Sequence, residues 1–174
     1  MLSNANLEIL FTKARSHKAW LNKEVTDDQI NQIYNLLKFA PTSGNCCPAR
    51  FTFIKSEEAK KRLEPALDKG NIDKSMDAPC VVIISYDTEF YESLSILSPH
   101  NDAKAGFVGK ETKIKNTAEF NSSLQGAYFI MASRSIGLDC CPMLGFNKGE
   151  LSRSQDRGRW KGHPVTAKGM TIYK

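Results

Sequence analysis

The segment Pro41-Thr42-Ser43-Gly44-Asn45-Cys46-Cys47-Pro48-Ala49-Arg50-Phe51 gathers hydroxyls, an amide, a glycine and two prolines into one short stretch. Such a loop offers hydrogen bonds at fixed positions without bulk, which suits a planar polar ligand. Three further polar clusters punctuate the chain. Arg15-Ser16-His17-Lys18 puts two cations and a hydroxyl within four residues, a set able to hold a phosphate or a carbonyl-rich ring by charge-assisted hydrogen bonds. In Gly70-Asn71-Ile72-Asp73-Lys74 an amide and an ammonium three residues apart share one helical face. In Cys141-Pro142-Met143-Leu144-Gly145-Phe146 the glycine lets backbone N–H groups come close to a ligand. Taken singly, each cluster also reads as an ordinary turn, a solvated helix end or a surface loop.

The elements between these clusters set their positions. The sequence predicts a short helix over 6–14. A second helix opens at Thr26, with Gln29 completing a capping box, and carries Ile30, Ile33, Leu36, Leu37 and Ala40 on one apolar face up to Pro41. Strands are predicted over 51–54 and 80–86; the second is continuously apolar and so covered on both faces. A charged helix over 57–67 turns Ala59, Leu63, Ala66 and Leu67 inward, a helical turn or two follows over 71–76, and a short helix over 87–94 leads into an irregular loop over 98–109. The longest helix runs over 116–136. Ala118, Leu124, Ala127, Tyr128, Met131, Ala132 and Ile136 form its apolar stripe, Gly126 and Ala127 permit close approach, and Gly137 stops it.

At 174 residues the chain can bury a sizeable core. Its net charge of +5 lies wholly in residues 148–174, which hold seven basic and two acidic side chains; the preceding residues hold seventeen of each sign. A nucleic-acid footprint would be a patch on the folded body, so nucleic acid is disfavoured as a partner. No apolar run is long enough to span a bilayer, and no secretory signal opens the chain, which points to a cytoplasmic protein. Five cysteines at 46, 47, 80, 140 and 141 lack the C-x2-4-C spacing of zinc sites and read as reduced thiols, chiefly packing groups.

The order and spacing of the four clusters resemble the nitroreductase family. The wording Pro-Thr-Ser-x-Asn-x-x-Pro-Ala-Arg-Phe, the stretch Ser85-Tyr86-Asp87-x-x-Phe90-Tyr91-Glu92 and the stretch Phe120-Asn121-Ser122-Ser123-Leu124-Gln125 are similar to one branch of it, the malonic semialdehyde reductases of pyrimidine degradation. The resemblance covers residues 5 to about 147. It implies an α+β, three-layer fold in which helices surround a mainly antiparallel sheet, with a long central helix, in a homodimer that binds FMN at its interface. It implies hydride transfer from NADH or NADPH through flavin N5 to a small carbonyl or nitro acceptor, with no protein nucleophile. Residue by residue it assigns Arg15, Ser16 and Lys18, with His17 beside them, to the FMN phosphate and pyrimidine. Thr42, Ser43 and Asn45 match the loop reaching FMN from the partner, Asn71 and Lys74 the pyrimidine edge. Pro142, Leu144 and Gly145 match the turn whose backbone N–H meets flavin N5.

The C-terminal stretch departs from that pattern. Residues 148–174 contain few apolar positions and no clear strand period, and read as shortened or out of frame, with the family's last strand and basic arm missing. This divides the chain into an FMN-binding domain over 1–147 and an atypical basic tail over 148–174. It also keeps open a second reading: a flavin-fold protein that binds without turnover.

Overall fold

A computed structural model of the chain describes residues 1–151 and the strand Val165–Ile172. The first helix, α1 (Asn4–Leu7), starts where the Ser3 hydroxyl accepts from the Asn6 amide, earlier than the sequence predicts, and widens into a π turn over Glu8–Thr12. The Arg15–Lys18 cluster follows in an irregular segment rather than on the helix end.

Helix α2 (Asp27–Leu37) has both halves of its capping box: the Gln29 amide donates to Thr26 Oγ1 at 3.2 Å, and the Thr26 amide donates to Gln29 Oε1 at 3.0 Å. Ile33, Leu37 and Ala40 are buried and Ile30 half-buried, as the spacing predicts. Leu36 is not; at the margin of the stripe it stays 48% exposed, with Phe39 further out on the same flank at 77%.

Strand β1 (Ala49–Ile54) pairs antiparallel with β2 (Val81–Asp87), from Ala49 opposite Tyr86 to Ile54 opposite Val81. Every residue of β2 is buried, the apolar run Val81–Ile84 and, beyond it, Ser85, Tyr86 and Asp87. Between the two strands lie α3 (Glu57–Leu63), capped by Ser56, and α4 (Ile72–Met76). Lys60 on α3 is buried at 5% exposure; its Nζ donates to the Met76 and Ala78 carbonyls and pairs with Glu57 at 2.7 Å. A lysine buried in this way tolerates the low dielectric because carbonyls and a carboxylate replace its water.

After β2 come α5 (Leu94–Leu97) and the 25-residue helix α6 (Glu111–Ser135), which starts five residues before the predicted position. The face it buries differs from the predicted stripe. Ala118 and Ala132 are inside, but Leu124, Ala127 and Tyr128 point outward, and Asn121, Ser122, Gln125 and Ser133 are buried instead. Gly126 does permit close approach, to the sheet: a Cβ there would lie 3.4 Å from Ile84 Cδ1.

The described part of the tail holds a strand where the sequence shows no clear strand period. β3 (Val165–Ile172) pairs antiparallel with the free side of β2, completing a sheet of order β1-β2-β3. Apolar types at 165 and 167 and again at 170 and 172 alternate with a one-residue slip between them, which hides the period of two. The register absorbs the slip in a bulge opposite Ile84/Ser85, so Val165, Ala167, Met170 and Ile172 stand across from Asp87, Ser85, Ile83 and Val81. The expectation of disorder between 152 and 164 falls outside the described residues.

Three clusters of buried residues divide the core. One joins Ile54, Leu63, Val81, Ile83, Met143 and Phe146. A second, under α2 and α6, joins Ile33, Leu37, Val82 and Phe129, whose ring stacks on Phe51 at 5.0 Å. The third joins Cys46, Tyr86, Phe90, Leu94, Ile114 and Ala118 at the far end of β2.

Candidate functional site

Three of the four polar clusters meet in one place. Trp20, just past the basic cluster, packs on the first core, and its indole N–H donates to the Lys74 carbonyl at 2.7 Å. His17 Nε2 lies 3.6 Å from Asp139 Oδ2, at the head of the loop that carries Pro142, Leu144 and Gly145. Asn71 Nδ2 donates to the Gly145 carbonyl at 2.7 Å, and the Asp68 amide donates to the same oxygen at 3.1 Å. Residues 15–18, 71–74 and 139–146 are thereby tied together around α4.

The geometry gives Gly145 a physical reason. A Cβ at that position would fall 2.5 Å from Asn71 Nδ2 and 2.8 Å from Asp68 Oδ2, closer than side chains approach one another. The glycine is needed so that Asn71 can lie flat against the loop. Next to it Leu144 is 78% exposed, an apolar side chain left at the surface beside a carboxamide and two backbone amides. Among the described residues, the Leu144 and Gly145 N–H groups have no protein acceptor.

Arg15, Ser16, His17 and Lys18 are all exposed. Arg15 is folded back, with Nη1 donating to the Thr12 and Ala14 carbonyls at 2.9 and 2.8 Å. That conformation keeps the guanidinium at the surface but does not aim it at Asn71. The preceding segment is held by Arg134 at the end of α6, whose Nη1 donates to the Leu10 carbonyl.

The fourth cluster lies elsewhere. Thr42, Ser43 and Asn45 form a turn with a 3-10 segment over Ser43–Asn45, and Cys46 just after it packs in the third core, beside Tyr86. β1 and β2 run between this turn and α4, so about 20 Å of strand separates the loop from the other three clusters of the same chain. The turn holds three residues in the left-handed region: Gly44 at φ 57°, Asn45 at 53° and Cys47 at 38°. For the non-glycine pair this conformation costs energy and persists because neighbours fix it. Cys47 N–H donates to Thr42 Oγ1 at 3.2 Å, Arg50 Nη1 to the Cys47 carbonyl at 3.1 Å, and Asn45 Nδ2 to the Leu97 carbonyl at 2.7 Å. Arg50 is itself fixed by a 2.6 Å ion pair to the buried Asp87. Ser43, Gly44, Leu94, Phe107 and Phe120 border an open cavity of about 430 Å³ beside the turn.

Three of the cysteines are buried deep in the core, while Cys47 lies in the turn itself, its Sγ donating to Asn45 Oδ1 at 3.3 Å. All five are free thiols. Burial pushes Cys46 to about 11 and Cys80 and Cys140 to about 12, so these three stay protonated and unreactive at neutral pH. No group of histidine, cysteine and carboxylate residues able to hold a metal occurs among the described residues.

Sequence reasoning missed Asn121, Gln125 and Arg50 as parts of the site's framework. The signal was present: carboxamides one helical turn apart inside a stripe otherwise read as apolar.

The chain thus defines a class of α+β proteins with a long central helix packed on a small antiparallel sheet. The chain matches the sequence profile of the Nitroreductase family over residues 12–155, and it belongs to that family. It is 51% identical over 152 residues to a Polynucleobacter asymbioticus protein, covering 87% of this chain and 78% of the relative. It is 50% identical over 163 residues to one from Rhodopseudomonas palustris, covering 93% and 83%. Both relatives are assigned by name to the NADH dehydrogenase/NAD(P)H nitroreductases. Among solved structures, a nitroreductase-type protein from Exiguobacterium sibiricum, in complex with FMN, superposes with a TM-score of 0.83 at 19% identity, covering 99% of this chain and 89% of the other. One from Bacillus subtilis gives 0.82 at 18%, covering 97% and 87%. At such identities these structures establish the fold.

Proposed function

We propose that the chain is an FMN-dependent oxidoreductase that takes hydride from NADH or NADPH and delivers it to a small carbonyl or nitro acceptor. The single observation that carries this reading is the convergence of residues 15–18, 71–74 and 139–146, tied by the Trp20–Lys74 and Asn71–Gly145 hydrogen bonds. The donor set fits the flavin. Cations at Arg15 and Lys18 suit its phosphate, while the ammonium of Lys74 and the amide of Asn71 suit the carbonyl edge of a pyrimidine ring. The Leu144 side chain, exposed beside Gly145, offers apolar surface for a planar ring to cover, and the Leu144 and Gly145 amides offer donors at its edge.

FMN, when bound, supplies the centre that accepts and returns the hydride. The chain's own residues bind and tune it. Lys74 would favour negative charge on a pyrimidine edge bound beside it. Arg15, which donates to the Thr12 and Ala14 carbonyls, would have to turn from them to hold a phosphate. No nucleophile is required of the protein, in keeping with thiols that burial holds protonated.

The reading includes a homodimer. The turn at Thr42, Ser43 and Asn45 lies too far from the other clusters to serve a ligand bound by its own chain, and it serves the site of a second copy. Tyr34, Leu36 and Phe39, from α2 to just past its end, and Phe120, Leu124 and Tyr128 on α6 expose apolar surface that such a copy would cover. The cavity bordered by Ser43, Gly44 and Phe120 would then open beside the flavin and admit the acceptor. Among acceptors, a malonic semialdehyde-like aldehyde is the specific proposal, on the likeness of residues 41–51, 85–92 and 120–125 to that branch. The setting we propose is cytoplasmic. No helix among the described residues is long and apolar enough to cross a membrane.

The test is turnover. NADH oxidation by the purified chain with added FMN should rise on addition of malonic semialdehyde or of a nitroaromatic. Oxidation that is no faster than with free FMN alone would reject the proposal.

A further inference from the structure

We infer that Asn121 is a positioning residue for flavin binding: its buried carboxamide fixes the turn at Ser43–Asn45 in the shape that meets the cofactor. The inference rests on the FMN reading above. Asn121 is 1% exposed, and its Oδ1 accepts from the Ser43 backbone N–H at 2.7 Å. Its own orientation is locked, because Nδ2 donates to the Thr117 carbonyl one turn back at 2.8 Å. Four residues on, Gln125, 7% exposed, uses Oε1 to accept from the Ala49 backbone N–H at 2.9 Å.

The two carboxamides hold the two ends of the loop. On the helix they stand about 6 Å apart. An extended chain from residue 43 to residue 49 would span about 20 Å, so the loop must double back between them. It does so through Gly44, Asn45 and Cys47, all at positive φ. A buried carboxamide costs free energy unless it is bonded, and Leu would pack this helix face more cheaply. The polar choice is explained by what it holds: a loop whose inner side is fastened and whose outer side leaves Ser43, Gly44 and Asn45 exposed. A loop fixed before binding loses less entropy when the ligand arrives.

The variant Asn121→Leu, which removes the acceptor at similar volume, set beside a comparator on the same helix, separates this role from simple stability. Ser133→Ala is the comparator, since Ser133 is buried on the same helix about three turns beyond Asn121 and donates to the Phe129 carbonyl. FMN affinity is read by flavin fluorescence quenching, melting temperature by circular dichroism, and the apo protein's Ser43 amide by hydrogen exchange. Asn121→Leu should weaken FMN by about tenfold and release the Ser43 amide, while Ser133→Ala lowers melting temperature without weakening FMN. Where Leu unfolds the chain, Asn121→Ser, too short to reach the Ser43 amide, replaces it. Wild-type-like FMN affinity in Asn121→Leu or its Ser substitute, or an unchanged Ser43 exchange rate, would overturn the inference. If the wild-type chain binds no FMN, the flavin reading fails by itself, and this inference fails with it only in its ligand; the exchange measurement still decides whether Asn121 holds the turn.

Discussion

Gly145 and the buried thiols carry the sharpest residue-scale consequences. A methyl at 145 would press on Asn71 Nδ2 and Asp68 Oδ2, and Asn71 cannot retreat without losing its bond to the Gly145 carbonyl. Gly145→Ala should cost about 1–3 kcal/mol in urea unfolding and weaken FMN in parallel. A variant as stable as the parent would show that Asn71 has room to move. The thiols act through pH. Burial raises Cys46 from 9.0 to about 11, and Cys80 and Cys140 from 9.0 to about 12. The folded chain thus keeps protons that the unfolded chain releases, so this contribution is complete below about pH 9 and is lost as pH climbs toward 11–12. The urea midpoint should fall between pH 8.5 and 10.5, and Cys80→Val should reduce that fall; an equal fall in both proteins would assign the pH dependence to other groups. At this scale the sequence was legible in the candidate residues, since the Asn71 and Gly145 clusters do meet. It was silent on Arg15, because a long side chain that bonds to local carbonyls leaves no trace in spacing.

Elements were legible where local chemistry dominates and obscure where tertiary contacts do. Thr26 and Gln29 form the capping box that their spacing predicts. Thr26→Ala should therefore lose about 1 kcal/mol of stability, read as a shift in urea midpoint at constant slope, with Thr26→Ser restoring most of it; no shift would mean that α2 is held by its packing alone. The β2 run announced its own burial. Helix α6 was read as an apolar stripe because hydrophobic spacing ranks Leu124 and Tyr128 above Asn121 and Gln125. The loop over 42–49 reverses that ranking, since its backbone N–H groups require acceptors from the helix beneath. β3 was missed because a single bulge shifts its alternation by one residue, and period-two patterns are read as unbroken.

Across the whole molecule, the polar clusters stand at opposite ends of the sheet, and the proposed function makes them two halves of one site. Residues 15–18, 71–74 and 139–146 gather at the start of β2, and the Ser43–Asn45 turn sits beside its end. In the proposed homodimer a second copy would reconcile them and cover the exposed Leu36, Phe39, Phe120, Leu124 and Tyr128. Leu36→Glu with Phe39→Glu should halve the mass seen by light scattering and weaken FMN at least tenfold, because each dimer interface completes the sites; a monomer that binds FMN as tightly as the parent would place the whole site in one chain. Sedimentation velocity of the wild-type chain with saturating FMN, followed at the flavin absorbance, tests the shared site most directly. The flavin should travel in a single boundary at twice the chain mass, with one flavin per chain. Flavin travelling with the single chain, or a colourless protein boundary, would contradict it.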